Sequence, residues 1–151
     1  MSWINWRAEI MANEVKLARL SSEPILLEHS ITAVSADDVG AVVSFSGIVR
    51  DHDHGRTVTQ LEYEAHPSAE ALLRSAAETV AAEHPGVRIA VEHRTGSLAV
   101  GDLALACAVS SAHRADSFVA CARLVGEVKL RVPIWKRQHF ADGTTEWVGG
   151  E

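Results

Sequence analysis

Each of the four prolines in this chain stands where a regular element has to begin or end, and together they constrain its architecture. Pro133 cannot continue a helix, because it lacks the N–H, its ring clashes with the preceding turn, and it pushes the residue before it into extended geometry. It therefore stops a helix running from about Arg114 to Arg131. Pro85 and Gly86 end an earlier helix, the alanine-rich "SAEALLRSAAETVAAEH" after Pro67, with Leu72, Leu73, Ala76, Val80 and Ala81 near one face. The segments around these helices are short and β-rich. "AVVSFSGIVR" (41–50), "VRIAVEHR" (87–94), "LALACAVS" (103–110), "IWKRQHF" (134–140) and "TEWVG" (145–149) read as strands, as does "PILLEHSIT" (24–32) behind Pro24. "TVTQLEYEAH" (57–66) alternates Val58, Gln60, Glu62 and Glu64 against Thr59, Leu61, Tyr63 and Ala65, which predicts a strand with one buried face. "SADDVG" (35–40) reads as a turn or short helical piece, and "TGSLAVGD" (95–102) as a connection. β-rich pieces with two helices inserted predict an α+β domain, mainly antiparallel β-sheet with two principal helices packed on it.

At 151 residues, 47% of them apolar, the chain is long enough for one domain with a substantial core. That domain is expected over 23–151, behind a weakly helical N-terminal extension, 1–22, in which Met11 is an alternative start. The longest apolar run, "LALACAV", is far short of the roughly 20 residues of a membrane span, and the N-terminus has no apolar signal centre, so the chain is expected to stay in the cytoplasm. A formal net charge of −6 argues against broad nucleic-acid binding. Cys107 and Cys121 form no CxxC motif and sit in apolar stretches, as buried reduced thiols do.

Against that acidic background, "KLRVPIWKRQ" (129–138) packs two of the three lysines together with Arg131 and Arg137. Lys129 falls in the helical series Phe118, Ala122, Val125 and Val132, so it is expected to interrupt a buried stripe. It either extends its ammonium to solvent or is partly desolvated and chemically useful. In a strand after Pro133, Ile134 and Lys136 share one face, which turns Lys136 back toward Lys129. Two amines and a guanidinium there suit an anion pocket. "SSAHR" (110–114) marks a strand end and a helix start, where free N–H groups, His113 and Arg114 can meet a phosphate while Ser111 caps the helix. Arg50 ends a strand beside "DHDHG" (51–55), whose histidines read as a surface loop rather than a metal site; the other histidines, His93 among them, form no ligand spacing. No metal ligand set, nucleotide-binding glycine loop or nucleophile elbow is present, and no cofactor is implied.

Taken together, "FSGIVRDHDHG", "LEYEAHPSAEALL", "HRTGSLAVGD", "SSAHRADSF" and "EVKLRVPIWKRQHFADGTTEWV" resemble, in order and spacing, the large catalytic subunits of molybdopterin synthase, the MoaE family. The resemblance runs from about Val39 to Val148 and implies a MoaE-like fold of the α/β hammerhead type. It implies an enzyme that converts cyclic pyranopterin monophosphate to molybdopterin by installing two dithiolene sulfurs. The sulfur would come from the C-terminal Gly-Gly thiocarboxylate of a small ubiquitin-like, MoaD-like sulfur-carrier partner, and the large subunits would form a homodimer within a heterotetramer. By motif match, Lys129 and Lys136 take the catalytic lysine positions, Arg50 the substrate-side arginine, and His113 and Arg114 an anion-binding pair contributed across the dimer. Arg137 is a further candidate for the wall of the tail pocket.

Family members often carry another basic residue past the Trp-Val, where this chain has Gly149, Gly150 and Glu151, so one outer cation would have to come from elsewhere; the two glycines read as a frayed end. Two other functions stay open on the residues: a phosphometabolite enzyme with Lys129 as a Schiff-base nucleophile, and a non-catalytic docking module for a ubiquitin-like tail.

Overall fold

A computed structural model describes residues 14–149 of the chain. The strands in order are β1 (Val15–Ser21), β2 (Ala41–Ile48), β3 (His52–Asp53), β4 (Arg56–Ala65), β5 (Arg88–Arg94), β6 (Gly96–Ala99), β7 (Leu103–Ser111), β8 (Ile134–Phe140) and β9 (Thr145–Val148). The helices are α1 (Leu27–Ala33), α2 (Ala69–Glu83) and α3 (Arg114–Arg131). The two long helices stop where Pro85 and Pro133 require, and the expected α+β architecture with mostly antiparallel pairing is present.

One sheet has the order β1-β5-β7-β2. Its central strands β5 and β7 are buried almost end to end, because helices cover both faces. On one face α2 and α3 enclose the main core, with Leu73, Val80, Ile89, Val91, Val109 and Leu124 fully buried. Each such aliphatic side chain contributes about 1.5–3 kcal/mol of transfer free energy. Cys107 and Cys121 lie in this core as free thiols, and burial pushes both thiols above their usual pKa range.

On the other face lies α1, where the sequence pattern suggested a strand. Leu27, Ser30, Ile31 and Val34 recur at helical spacing, and Ser30 and Val34 are fully buried. Val34 packs with Ile31 against Ala90 and Ala108, small residues that let a helix approach the sheet closely. The expected helical extension needs a similar correction. Val15–Ser21 forms an edge strand parallel to β5, so the sheet begins before residue 23. Residues 1–13, including Met11, lie outside the described residues.

The second sheet is built on β4, which pairs with β8 on one side and with β3 and β6 on the other, while β9 extends it beyond β8. β6 occupies the stretch read as a connection. A bulge between Val58 and Gln60 breaks the alternation of β4, so Val58 and Leu61 are both buried although strict period two puts them on opposite faces. "DHDHG" folds as the tight hairpin joining β3 to β4, with His54 and Gly55 both at positive φ, the backbone of a type I′ turn. Val49, Leu61, Leu98 and Ala104 form a small core where the two sheets meet, roofed by Tyr63.

Candidate active site

The site forms where α3 ends and β8 begins. The buried stripe of α3 is Ser117, Ala120, Cys121, Leu124 and Val128, one residue earlier than the series containing Lys129. Small residues at 117, 120 and 121 let the helix lie close on the sheet, so this stripe turns inward. Phe118 and Ala122 face outward, and Lys129 is exposed. Lys129 therefore does not interrupt the core; it stands on the rim of a cavity of about 300 Å³.

Three cations reach this cavity from three elements. Lys129 comes from α3, Arg50 from the connection between β2 and β3, and Lys136 from β8. As the period after Pro133 predicts, Ile134, Lys136 and Gln138 line the cavity together. Asp53 is the only carboxylate among the described lining residues. It accepts a hydrogen bond from Gln138 Nε2 at 2.9 Å on one oxygen and from Arg50 Nη2 at 3.1 Å on the other. The Gln138 hydrogen bond, then the charges of His54, Lys136 and Arg50, hold its pKa below the ordinary aspartate value. Three cations against one carboxylate leave the cavity positive in a protein whose net charge is −6.

Two aromatic residues that sequence reasoning passed over complete the wall. Tyr63 lies opposite Lys136 in the β4–β8 register, and its ring meets the His93 ring edge-on at 5.0 Å and 90°. Burial raises the pKa of the Tyr63 hydroxyl. The available signal for His93 was its place two residues after Val91 on one face of a strand, rather than any ligand spacing.

The remaining candidates lie elsewhere. Arg137 is on the other face of β8, with its guanidinium 5.7 Å from the Trp147 ring, and it does not line the cavity. His113 and Arg114 are exposed at the start of α3. The helix between Arg114 and Lys129 rises about 22 Å at roughly 1.5 Å per residue, so one chain does not bring that pair to the cavity. Ser111 is not the cap either. His113 is the N-cap residue and no side chain caps the helix, while Ser111 Oγ donates to the His113 carbonyl and pairs with Ser117 Oγ. Gly40 fixes the approach to this turn, since a Cβ there would lie 2.2 Å from the Ala112 carbonyl oxygen. Gly149 is not frayed: it lines the cavity, and a Cβ added there would meet the Trp135 ring at 3.1 Å, whereas Gly150 lies outside the described residues. Among the described residues, no group of three or more His, Cys, Asp or Glu side chains is placed to hold a metal ion.

An α+β domain with an electropositive cleft between a helix end and a strand has the charge and shape to receive a small anion. The chain matches the model for the MoaE protein over residues 20–131 and belongs to the MoaE family. It is 41% identical over 134 residues to molybdopterin synthase catalytic subunit 1 of Mycobacterium tuberculosis, covering 87% of this chain and 89% of that one. It is 38% identical over 133 residues to the molybdopterin synthase catalytic subunit of Halalkalibacterium halodurans, covering 87% and 85%. The crystal structure of molybdopterin synthase from Staphylococcus aureus superimposes with a TM-score of 0.80 at 34% identity, covering 91% of this chain and 97% of that chain.

Proposed function

We propose that this chain is the catalytic subunit of a cytoplasmic molybdopterin synthase. It transfers sulfur from the C-terminal thiocarboxylate of a small ubiquitin-like partner to cyclic pyranopterin monophosphate. The observation that carries this reading is the convergence of Arg50, Lys129 and Lys136 on one cavity. Both reactants are anions that repel each other in water, and fixed cations in a cleft offset that repulsion as they approach.

The thiocarboxylate sulfur attacks the pterin side chain and the cyclic phosphate opens, with Arg50 and Lys136 stabilising the charge that develops on phosphate. Lys129 stands at the mouth, where the partner's tail enters, and serves as a charge and proton donor to the acyl group. Its exposure supports a role that rests on position rather than on desolvation. Water then releases the partner's terminal glycine, and a second thiocarboxylated partner repeats the sequence. The cavity of one chain lacks His113 and Arg114, and the exposed, uncapped start of α3 is suited to presenting them to a neighbour's cavity. The working unit in this reading is a homodimer carrying one small partner on each chain.

Mixing the protein with a thiocarboxylated partner and cyclic pyranopterin monophosphate tests the proposal. Dithiolene product is expected, with loss of product in Lys136→Ala. A folded protein that binds the partner yet forms no product would rule the reaction out.

A further inference from the structure

We propose that His93 is the proton acceptor that activates water when the partner's terminal glycine is released, with Tyr63 holding its ring in the cavity wall. This inference rests on the sulfur-transfer reading and supplies a group which that reading lacks. Releasing the acyl group needs a base, and Arg50, Lys129 and Lys136 enter the cavity as donors. Both Asp53 oxygens are already occupied by Arg50 and Gln138, and His52, the other imidazole of the wall, is an exposed side chain held through Nδ1 by Asp51 in the β3 hairpin.

His93 has the required geometry. Its Nδ1 lies 2.7 Å from the Arg94 carbonyl oxygen. A carbonyl only accepts, so Nδ1 carries the proton and Nε2 keeps its lone pair. Nε2 makes no hydrogen bond to the protein among the described residues, and the ring lines the cavity. The edge-on contact with Tyr63 at 5.0 Å fixes the ring plane.

The titratable groups that share the cavity with the imidazole are Tyr63 from β4, Lys129 from α3 and Lys136 from β8, with Arg50, His52 and Asp53 from the β2–β3 side of the wall. The neighbouring strands pair Leu20 and Leu105 with it, and Glu92, next to it on β5, turns to the opposite face and binds Arg19. Burial, and secondarily the Lys129 charge, lower the His93 pKa despite the opposing pull of the Arg94 carbonyl. The ring is therefore neutral, and able to accept a proton, at neutral pH.

In the step itself, one water O–H bond breaks and its proton passes to Nε2 while the oxygen bonds to the acyl carbon. The tetrahedral intermediate then breaks its C–S bond, and the electron pair stays on the sulfur that remains with the pterin. The imidazolium returns its proton to that sulfur or to solvent.

The test uses the full chain with its thiocarboxylated partner and cyclic pyranopterin monophosphate, following the covalent partner–pterin adduct and the released product by mass spectrometry. His93→Gln should still form the adduct but hydrolyse it roughly 100-fold or more slowly than wild type, so that the adduct accumulates. Wild-type hydrolysis should show an acid limb with its midpoint below about 6.5, absent from the variant. Wild-type-rate hydrolysis in folded His93→Gln would overturn the assignment. If that variant does not fold, His93→Asn supplies the reading, and wild-type-rate hydrolysis in a folded His93→Asn would overturn the assignment equally. A wild-type complex that yields neither adduct nor product overturns the sulfur-transfer reading and this step with it; product from wild type and normal hydrolysis in the variant overturns only the base.

Discussion

Asp53 meets Arg50 at 3.1 Å, so Arg50 reaches the cavity already paired with a carboxylate. An incoming anion must share Arg50 with Asp53, and this pairing tempers the pull of the three cations.

Replacing Asp53 with Asn should therefore tighten binding of the phosphorylated pterin by about twofold to fivefold at low salt, the scale of one exposed charge interaction, and the gain should shrink as salt rises. Calorimetric titration at two ionic strengths checks it. Equal affinities at low salt would mean that the Asp53 charge is not felt by the ligand.

The same carboxyl predicts an acid-stability difference. Its folded pKa lies below the ordinary aspartate value of 3.8, so its stabilising contribution is present above that value and lost as pH falls through the lowered one. Between about pH 5 and pH 2.5, wild type should lose more stability than Asp53→Asn in urea titrations. Parallel losses would remove the Gln138 and Arg50 contacts as the cause.

Lys129→Ala should abolish product while changing stability by no more than about 0.5 kcal/mol, since an exposed rim residue has little packing to lose. Leu124→Ala, fully buried under the same helix, should instead cost about 2–5 kcal/mol. Denaturant melts of the two variants separate the roles, and a Lys129→Ala melt resembling that of Leu124→Ala would contradict the rim placement.

Because about 22 Å of helix separates Arg114 from Lys129, each working site should draw Arg114 from a second chain. Mixing inactive Arg114→Ala with inactive Lys129→Ala should restore part of the activity through mixed dimers. Verified subunit exchange without any recovery would exclude a shared site.

Arg137→Ala should leave pterin affinity unchanged, since this side chain lies on the Trp147 side of β8. Losing the stacked cation should cost about 0.5–1 kcal/mol of stability. A drop in pterin affinity without a drop in melting temperature would return Arg137 to the cavity.

Punctuation and period were the readable part of this chain. Pro85 and Pro133 set the ends of α2 and α3 because a proline stops a helix by local sterics alone. Alternation after Pro133 likewise places Ile134 and Lys136 on one face, and the spacing alone is enough to turn Lys136 back toward the end of α3. The family motifs pointed to the same residues. Shorter elements were harder: α1 is seven residues with β-branched Ile31 and Thr32, and β6 is four residues in a glycine-flanked segment, so neither has enough length for its period to stand out.

By itself, then, the amino-acid sequence determined where the long elements run, that the domain is α+β, and which cations cluster near Pro133. The tertiary structure decided which face of each element is buried. α3 carries two apolar series one residue apart, and only contact with the sheet chose the one led by Ser117 and put Lys129 on the rim. A single bulged residue in β4 likewise brought Val58 and Leu61 inside together. Tertiary packing also brought the Arg50–Asp53 pair, Tyr63 and His93 to one cavity from three separate stretches of the chain, and left Arg137 outside it. Local sterics act between near neighbours and are written in spacing, whereas burial and shared cavities depend on which distant surfaces meet, which spacing along one chain does not encode.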